Sequence, residues 1–204
     1  MEKDIVKTKK FGKVSMTIGL VICVLAWVLF YFNVFDKPIQ AGSLMLKSIP
    51  GHSITKFDRI NDYPKYDYHK KGKLLDSVID IRYRKALCEV TSIKDAEYAF
   101  DEIDGVKSKL DKITENDRYY VVKYMDKSFN ELHFYITLLS KEKDEYDYTF
   151  EYNCDVEGKM ISRKAFDSFR DMVKESLNVD LGLTYDDLNS EFNNVLEESK
   201  DKYK

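Results

Sequence analysis

Three cysteines in 204 residues are too few for a fold held together by disulfides. Cys23 lies in an apolar run near the N-terminus, and Cys88 and Cys154 fall in the remainder. A bond between Cys88 and Cys154 would bring their Cα atoms within ~7 Å, so their strands would have to be neighbours or face each other across a bend. Two buried thiols are the alternative. Stability must come from packing in either case.

Catalytic signatures are also missing. The chain has no Gly-x-Ser-x-Gly, no His-Glu-x-x-His, no Cys-x-x-Cys and no glycine-rich phosphate loop. Its histidines, His52, His69 and His133, are well separated. The expectation is a protein that is not an enzyme and needs no cofactor or metal; a hydrolase built from residues distant in sequence is the alternative. No asparagine after the apolar run opens an Asn-x-Ser/Thr sequon, which favours a bacterial exterior over a eukaryotic secretory route.

Charge is absent from one long stretch. Val14 to Phe35 carries no charged residue, and at about 1.5 Å per residue it reaches roughly 33 Å, enough for a hydrocarbon core of ~30 Å. The stretch is expected to be a transmembrane helix, 14–35, following a cytoplasmic tail, 1–13. Lys3, Lys7, Lys9, Lys10 and Lys13 face only Glu2 and Asp4 in that tail, and positive flanks stay inside. Trp27, Phe30, Tyr31, Phe32 and Phe35 crowd the far end, where aromatic rings favour the headgroup layer. A cleaved signal peptide, with Ile39-Gln40-Ala41 as the site, would have a shorter apolar core. Cys23 follows Ile22 in mid-span and does not fit a lipoprotein; a pilin-type leader would carry an acidic residue just inside the run.

Removing the tail's +3 from the chain's −3 leaves about −6 on residues 36–204. An acidic exterior domain is a poor general binder of nucleic acid or anionic polymer. It has no internal repeat, low-complexity tract or long linker, so 36–43 is expected to be a short tether and 44–204 one α+β domain.

Within it, Gln40 to Ile49 is a candidate first strand that ends at the Pro50-Gly51 turn. Residues 52–73 show weak periodicity and are expected to form a loop. Ser77 to Val90 is β-like, with its buried parity changing near Arg84-Lys85, the signature of a bulge. Ser92, Asp95 and the apolar spacing from Ile93 to Leu110 predict a helix over about 93–110. Strands at 119–125, 131–139 and 146–156 predict an antiparallel meander over 119–156. Capped amphipathic segments predict covering helices at about 162–177 and 184–199.

EYDYTFEYNCDV, 145–156, alternates apolar, mostly aromatic, and polar residues without a break. One dry and one wet sheet face explains this with no ligand. A dry face requires Leu132, Phe134, Ile136 and Leu138 to share it with Tyr146, Tyr148, Phe150 and Tyr152, so paired residue numbers must sum to an even value and the connecting loop must hold three or five residues. The opposite parity of the last strand carries Glu145, Asp147, Glu151 and Asp155, expected to be solvated, and His133 is expected to face Glu151 or Asn153. The basic, aromatic segment 63–73, in particular Tyr63, Tyr66, Tyr68, Lys70 and Lys71, is the candidate partner-binding loop, since rings and cations suit glycans, phosphates or acidic proteins. The expected function is therefore that of a membrane-anchored extracytoplasmic binding or accessory protein of the bacterial envelope. Its partners would be the membrane and another envelope or secreted protein, not nucleic acid. The alternative is an immunity or inhibitor protein neutralising a toxin or enzyme at the outer membrane face.

Overall fold

The computed structural model describes residues 2–31, 37–60, 63–71, 77–86, 90–96, 112–128, 131–155 and 160–201. Among them are nine strands: β1 (Ile39–Ala41), β2 (Leu44–Leu46), β3 (His52–Ile60), β4 (Tyr63–Lys70), β5 (Ser77–Lys85), β6 (Lys112–Glu115), β7 (Tyr119–Ser128), β8 (Glu131–Ser140) and β9 (Tyr146–Asp155). Three long helices accompany them, α1 (Glu2–Tyr31), α2 (Arg163–Leu177) and α3 (Tyr185–Asp201). β1 and β2 pair with each other, and the other seven strands form one antiparallel sheet in the order β3-β4-β5-β9-β8-β7-β6. The architecture is α+β, and the meander stands where the alternation predicts it.

The register of β8 and β9 follows from burial. Ile136 stands opposite Phe150 and Phe134 opposite Tyr152, an even sum, with a five-residue connection at 141–145. Because side chains alternate with period two, this register puts both apolar sets on one face. Phe150 lies on the central strand between Ile81 of β5 and Ile136 of β8, and all three are wholly buried. Helix α2 covers them. Its ring of Phe169 meets Phe150 edge-on at 5.3 Å, and Phe166 meets Tyr152 at 5.4 Å; such contacts add to the burial itself. Phe192 of α3 is buried in the same core. The predicted caps are present. Ser162 Oγ accepts the Ala165 N–H, and Thr184 and Asp187 satisfy each other's N–H groups.

Tyrosine hydroxyls in this core need partners. Tyr148 Oη accepts the N–H groups of Ser43 (2.7 Å) and Leu44 (3.1 Å) and donates to Ala41 O (3.2 Å), which fastens the β1–β2 hairpin to the sheet. Gly42 makes the turn at φ +62°, and a Cβ there would lie 2.8 Å from the ring of Tyr146 and 2.8 Å from the hydroxyl of Tyr148. Tyr68 Oη donates to Lys47 O at 2.7 Å.

Several expectations are corrected. The single strand at 40–49 is a hairpin broken by Gly42, and it begins inside the expected tether, with Ala41 wholly buried. The loop expected over 52–73 is mostly two strands, β3 and β4: Pro64 sits at the second position of β4, where a missing N–H is tolerated near a strand start. Instead of bulging at Arg84-Lys85, β5 ends at Lys85. Of the helix expected over 93–110, Ile93 to Ala96 are helical and 97–110 lie outside the described residues. Cys154 is buried on the core face opposite Leu132, and Cys88 lies outside the described residues.

Residues 14–31 of the expected span lie in the 30-residue helix α1, and 32–35 lie outside the described residues. Side chains of α1 are described from Met16 to Tyr31, roughly 24 Å at 1.5 Å per residue. Among the described residues no helix is long and apolar enough to cross a membrane. The end of α1 rests on the sheet domain: Gly51 N–H donates to Tyr31 O at 3.0 Å.

Phe150→Ala should cost roughly 3–5 kcal/mol, as for a fully buried ring. Thr149→Ala, which loses a half-buried hydroxyl 3.3 Å from Thr137 Oγ1, should cost no more than about 1 kcal/mol. Urea unfolding of both variants checks this.

Candidate functional site

The face of the sheet turned away from α2 and α3 is divided. Over β6, β7 and β8 it is apolar, with Tyr120, Val122, Tyr124 and Leu139 packed with Val90 and Ala96. Over β4, β5 and β9 it is ionic. Antiparallel pairing lines up Asp67 with Asp80 and Asp80 with Glu151, and all three are buried. Lys65 and Arg82 are paired in the next row.

Each carboxylate draws on a cation. Lys65 Nζ lies 2.8 Å from Asp80 Oδ2 and 3.3 Å from Asp67 Oδ1. Arg82 Nη2 lies 2.8 Å from Glu151 Oε2. On the other side, His133 Nδ1 lies 3.0 Å from Glu151 Oε1 and 2.8 Å from Asn153 Oδ1, so a proton on that nitrogen is shared between two acceptors. Ser77 Oγ donates to Asp80. At the turn end of β9, Asp147 accepts the Ser140 N–H at 2.8 Å and faces Arg84 at 3.5 Å.

Three carboxylates face two permanent cations, which leaves one negative charge in a partly desolvated row. Asp67 carries the consequence. Burial, then the neighbouring charge of Asp80, push its pKa up to about 7, against the pull of Lys65. For Lys65, burial lowers the pKa, but the hydrogen bond and charge of Asp80 and then Asp67 outweigh it, so the ammonium is held above its usual range. Burial likewise raises Asp147, against the Ser140 N–H and Arg84. Chemically, the row can store and release a proton near neutrality and presents Arg82, about half exposed, at its rim.

The residues expected to bind a partner are separated by the strand they occupy. Tyr66 and Tyr68 point into the core, 4% and 0% exposed, and so offer no contact surface. Tyr63 begins β4. Lys70 ends β4, and Lys71 follows in the turn, with its Nζ 3.7 Å above the Phe30 ring. Of the two expected registers the structure has the one that pairs His133 with Asn153, and the His133 ring also reaches Glu151 on the same strand. Of the four carboxylates expected to be solvated, Asp147 and Glu151 are buried, 8% and 6% exposed, because neighbouring strands supply Arg84, Arg82 and His133 to them; Glu145 is half-buried, and the side chain of Asp155 lies outside the described residues. Lys65, Asp67, Asp80 and Arg82 were not anticipated. Their signal was two short runs of alternating charge, Lys65/Asp67 and Asp80/Arg82, each out of phase with apolar residues.

No protein-family model, curated protein or solved structure matches this chain.

An acid whose folded pKa lies above its unfolded 3.8 binds more protons when folded, so it lowers stability as pH rises from about 4 to about 7 and has its full cost above that. Asp67→Asn should remove that slope: unfolding free energy should fall less between pH 5 and pH 8 than in the parent protein. Urea melts at the two pH values measure it; equal slopes would contradict a shifted Asp67.

Proposed function

We propose that the protein is a single-pass, membrane-anchored binding or accessory protein of the bacterial cell envelope, with its N-terminus in the cytoplasm and its α+β domain outside. The observation that carries this reading is the exposure of α1. Met16, Leu20, Trp27 and Phe30 are 76%, 62%, 63% and 63% exposed, and Ile18, Val21, Ile22, Val24 and Leu25 are each at least half exposed. At 100° per residue these positions run right round the helix, so it has no polar side to turn to water. A lipid environment gives all of them an apolar neighbour. Val14 to Phe35 supplies the length without a charge, and the lysine-rich tail supplies the orientation.

Action by binding is supported by how the polar groups are occupied. Glu151 is engaged by Arg82 and His133, and Asp80 by Lys65 and Ser77. His52 Nδ1 lies 3.1 Å from Pro50 O, at the end of the domain beside α1. The partner is another envelope or secreted protein, met by the acidic exterior of the domain.

Protease added to intact cells should digest residues beyond α1 and leave a membrane-protected N-terminal fragment, while alkaline carbonate should leave the intact chain in the membrane fraction. A domain cleaved only after permeabilisation would reverse the topology, and release by carbonate would end the anchored reading.

A further inference from the structure

The end of the sheet domain that meets α1 differs in charge from the rest. His52 and Lys70 are direct partners across β3 and β4, His69 is next to Lys70, and Lys71 N–H donates to Gly51 O at 3.1 Å. Gly51 in turn holds Tyr31 O, and its Cα approaches the Tyr31 ring closely enough that a Cβ would sit 3.1 Å from it. Trp27 stacks on Tyr31 at 5.4 Å, and Lys71 Nζ caps the Phe30 ring. Neither Lys70 nor Lys71 makes an ion pair among the described residues, and both are half-buried. Two uncompensated ammonium groups thus stand beside the aromatic end of an apolar helix, on a domain that is otherwise acidic.

We propose that this end of the domain is a seat for the phosphates of anionic phospholipids: Lys70 and Lys71 take headgroup phosphates where α1 leaves the bilayer and hold the domain base-down on the membrane. The inference rests on the anchored reading of α1. The aromatic rings place the helix end at headgroup depth, and a lysine beside an anionic surface is attracted within about a Debye length. Cation–π contact with Phe30 keeps the Lys71 stem along the ring and its ammonium at that depth. The acidic remainder of the domain is repelled by the same surface, so the two lysines also set which end faces it.

The full chain is placed in nanodiscs of phosphatidylcholine alone or of phosphatidylcholine with phosphatidylglycerol, and acetylation of each lysine is followed by mass spectrometry. Lys70 and Lys71 should react about fivefold more slowly in the anionic discs, roughly the worth of one lysine's attraction to such a surface. Lys143, in the turn at the far end of β9, should react equally in both. Equal rates at Lys70 and Lys71 in the two discs overturn the proposal. Slowing reproduced by inorganic phosphate in phosphatidylcholine discs would reassign the site to free anions and overturn it too. A chain that does not stay with either disc would remove the anchored reading, and the lipid seat with it; a chain that stays but shows no lipid dependence would remove the seat alone.

Discussion

The pairing of Ile136 with Phe150 is the constraint on which the domain depends. It places one strand's aliphatic row and the next strand's aromatic row on the same side, and it does so at the centre of a seven-stranded sheet. From there the row continues outward through Ile81 to Tyr66. Without disulfide density, the domain needs this concentration of apolar area: each buried large side chain is worth ~1.5–3 kcal/mol relative to exposure. Helix α2 finds a surface only because the row is continuous, since Phe166 and Phe169 reach Tyr152, Phe150 and Tyr68 together.

The same register determines the second face. Turning Phe150 and Tyr152 inward forces Glu151 outward, and the neighbouring strands bring Asp80 and then Asp67 into line with it. Such a row would be repulsive in isolation, and desolvation would make it worse. Lys65, Arg82 and His133 are the counterweight. They come from three different strands, so the ionic half of the face holds together only when β4, β5, β9 and β8 are assembled side by side. It therefore specifies strand order more than it adds stability, a role buried ion pairs fill in some other proteins.

Local periodicity made the meander, its dry face and the two C-terminal helices legible, because a period of two or of 3.6 is written in neighbouring residues. Helix caps at Ser162 and Thr184 were readable for the same reason. β4 was missed although Lys65, Tyr66, Asp67, Tyr68 and His69 alternate, because Asn61-Asp62 and Pro64 signal a turn and polar residues at every second place resemble a loop. Burial of the carboxylates was not legible at all. It depends on which strands become neighbours, and β5 pairs with β9 across sixty intervening residues. His133 against Glu151 was within reach only because a short connection joins β8 to β9. Likewise the base of the domain could be seen as basic, but that Gly51 would hold Tyr31 is a contact between segments no pattern links.

Joined in this way, the parts form a consistent order from sequence to place. An apolar helix ends in aromatic residues; a turn of the sheet holds that end; the sheet's dry face is roofed by α2 and α3, and the part of its other face over β4, β5 and β9 is locked by ions. Both faces of the sheet follow from one register, so the register is what most needs to be observed. Cross-strand proton–proton contacts in the folded full chain, measured by NMR in nanodiscs, report it directly. The account predicts contacts that put Thr137 opposite Thr149 and Phe134 opposite Tyr152; contacts placing Ile136 opposite Thr149 would mean a one-residue slip, an exposed aromatic row and a different protein surface from the one described.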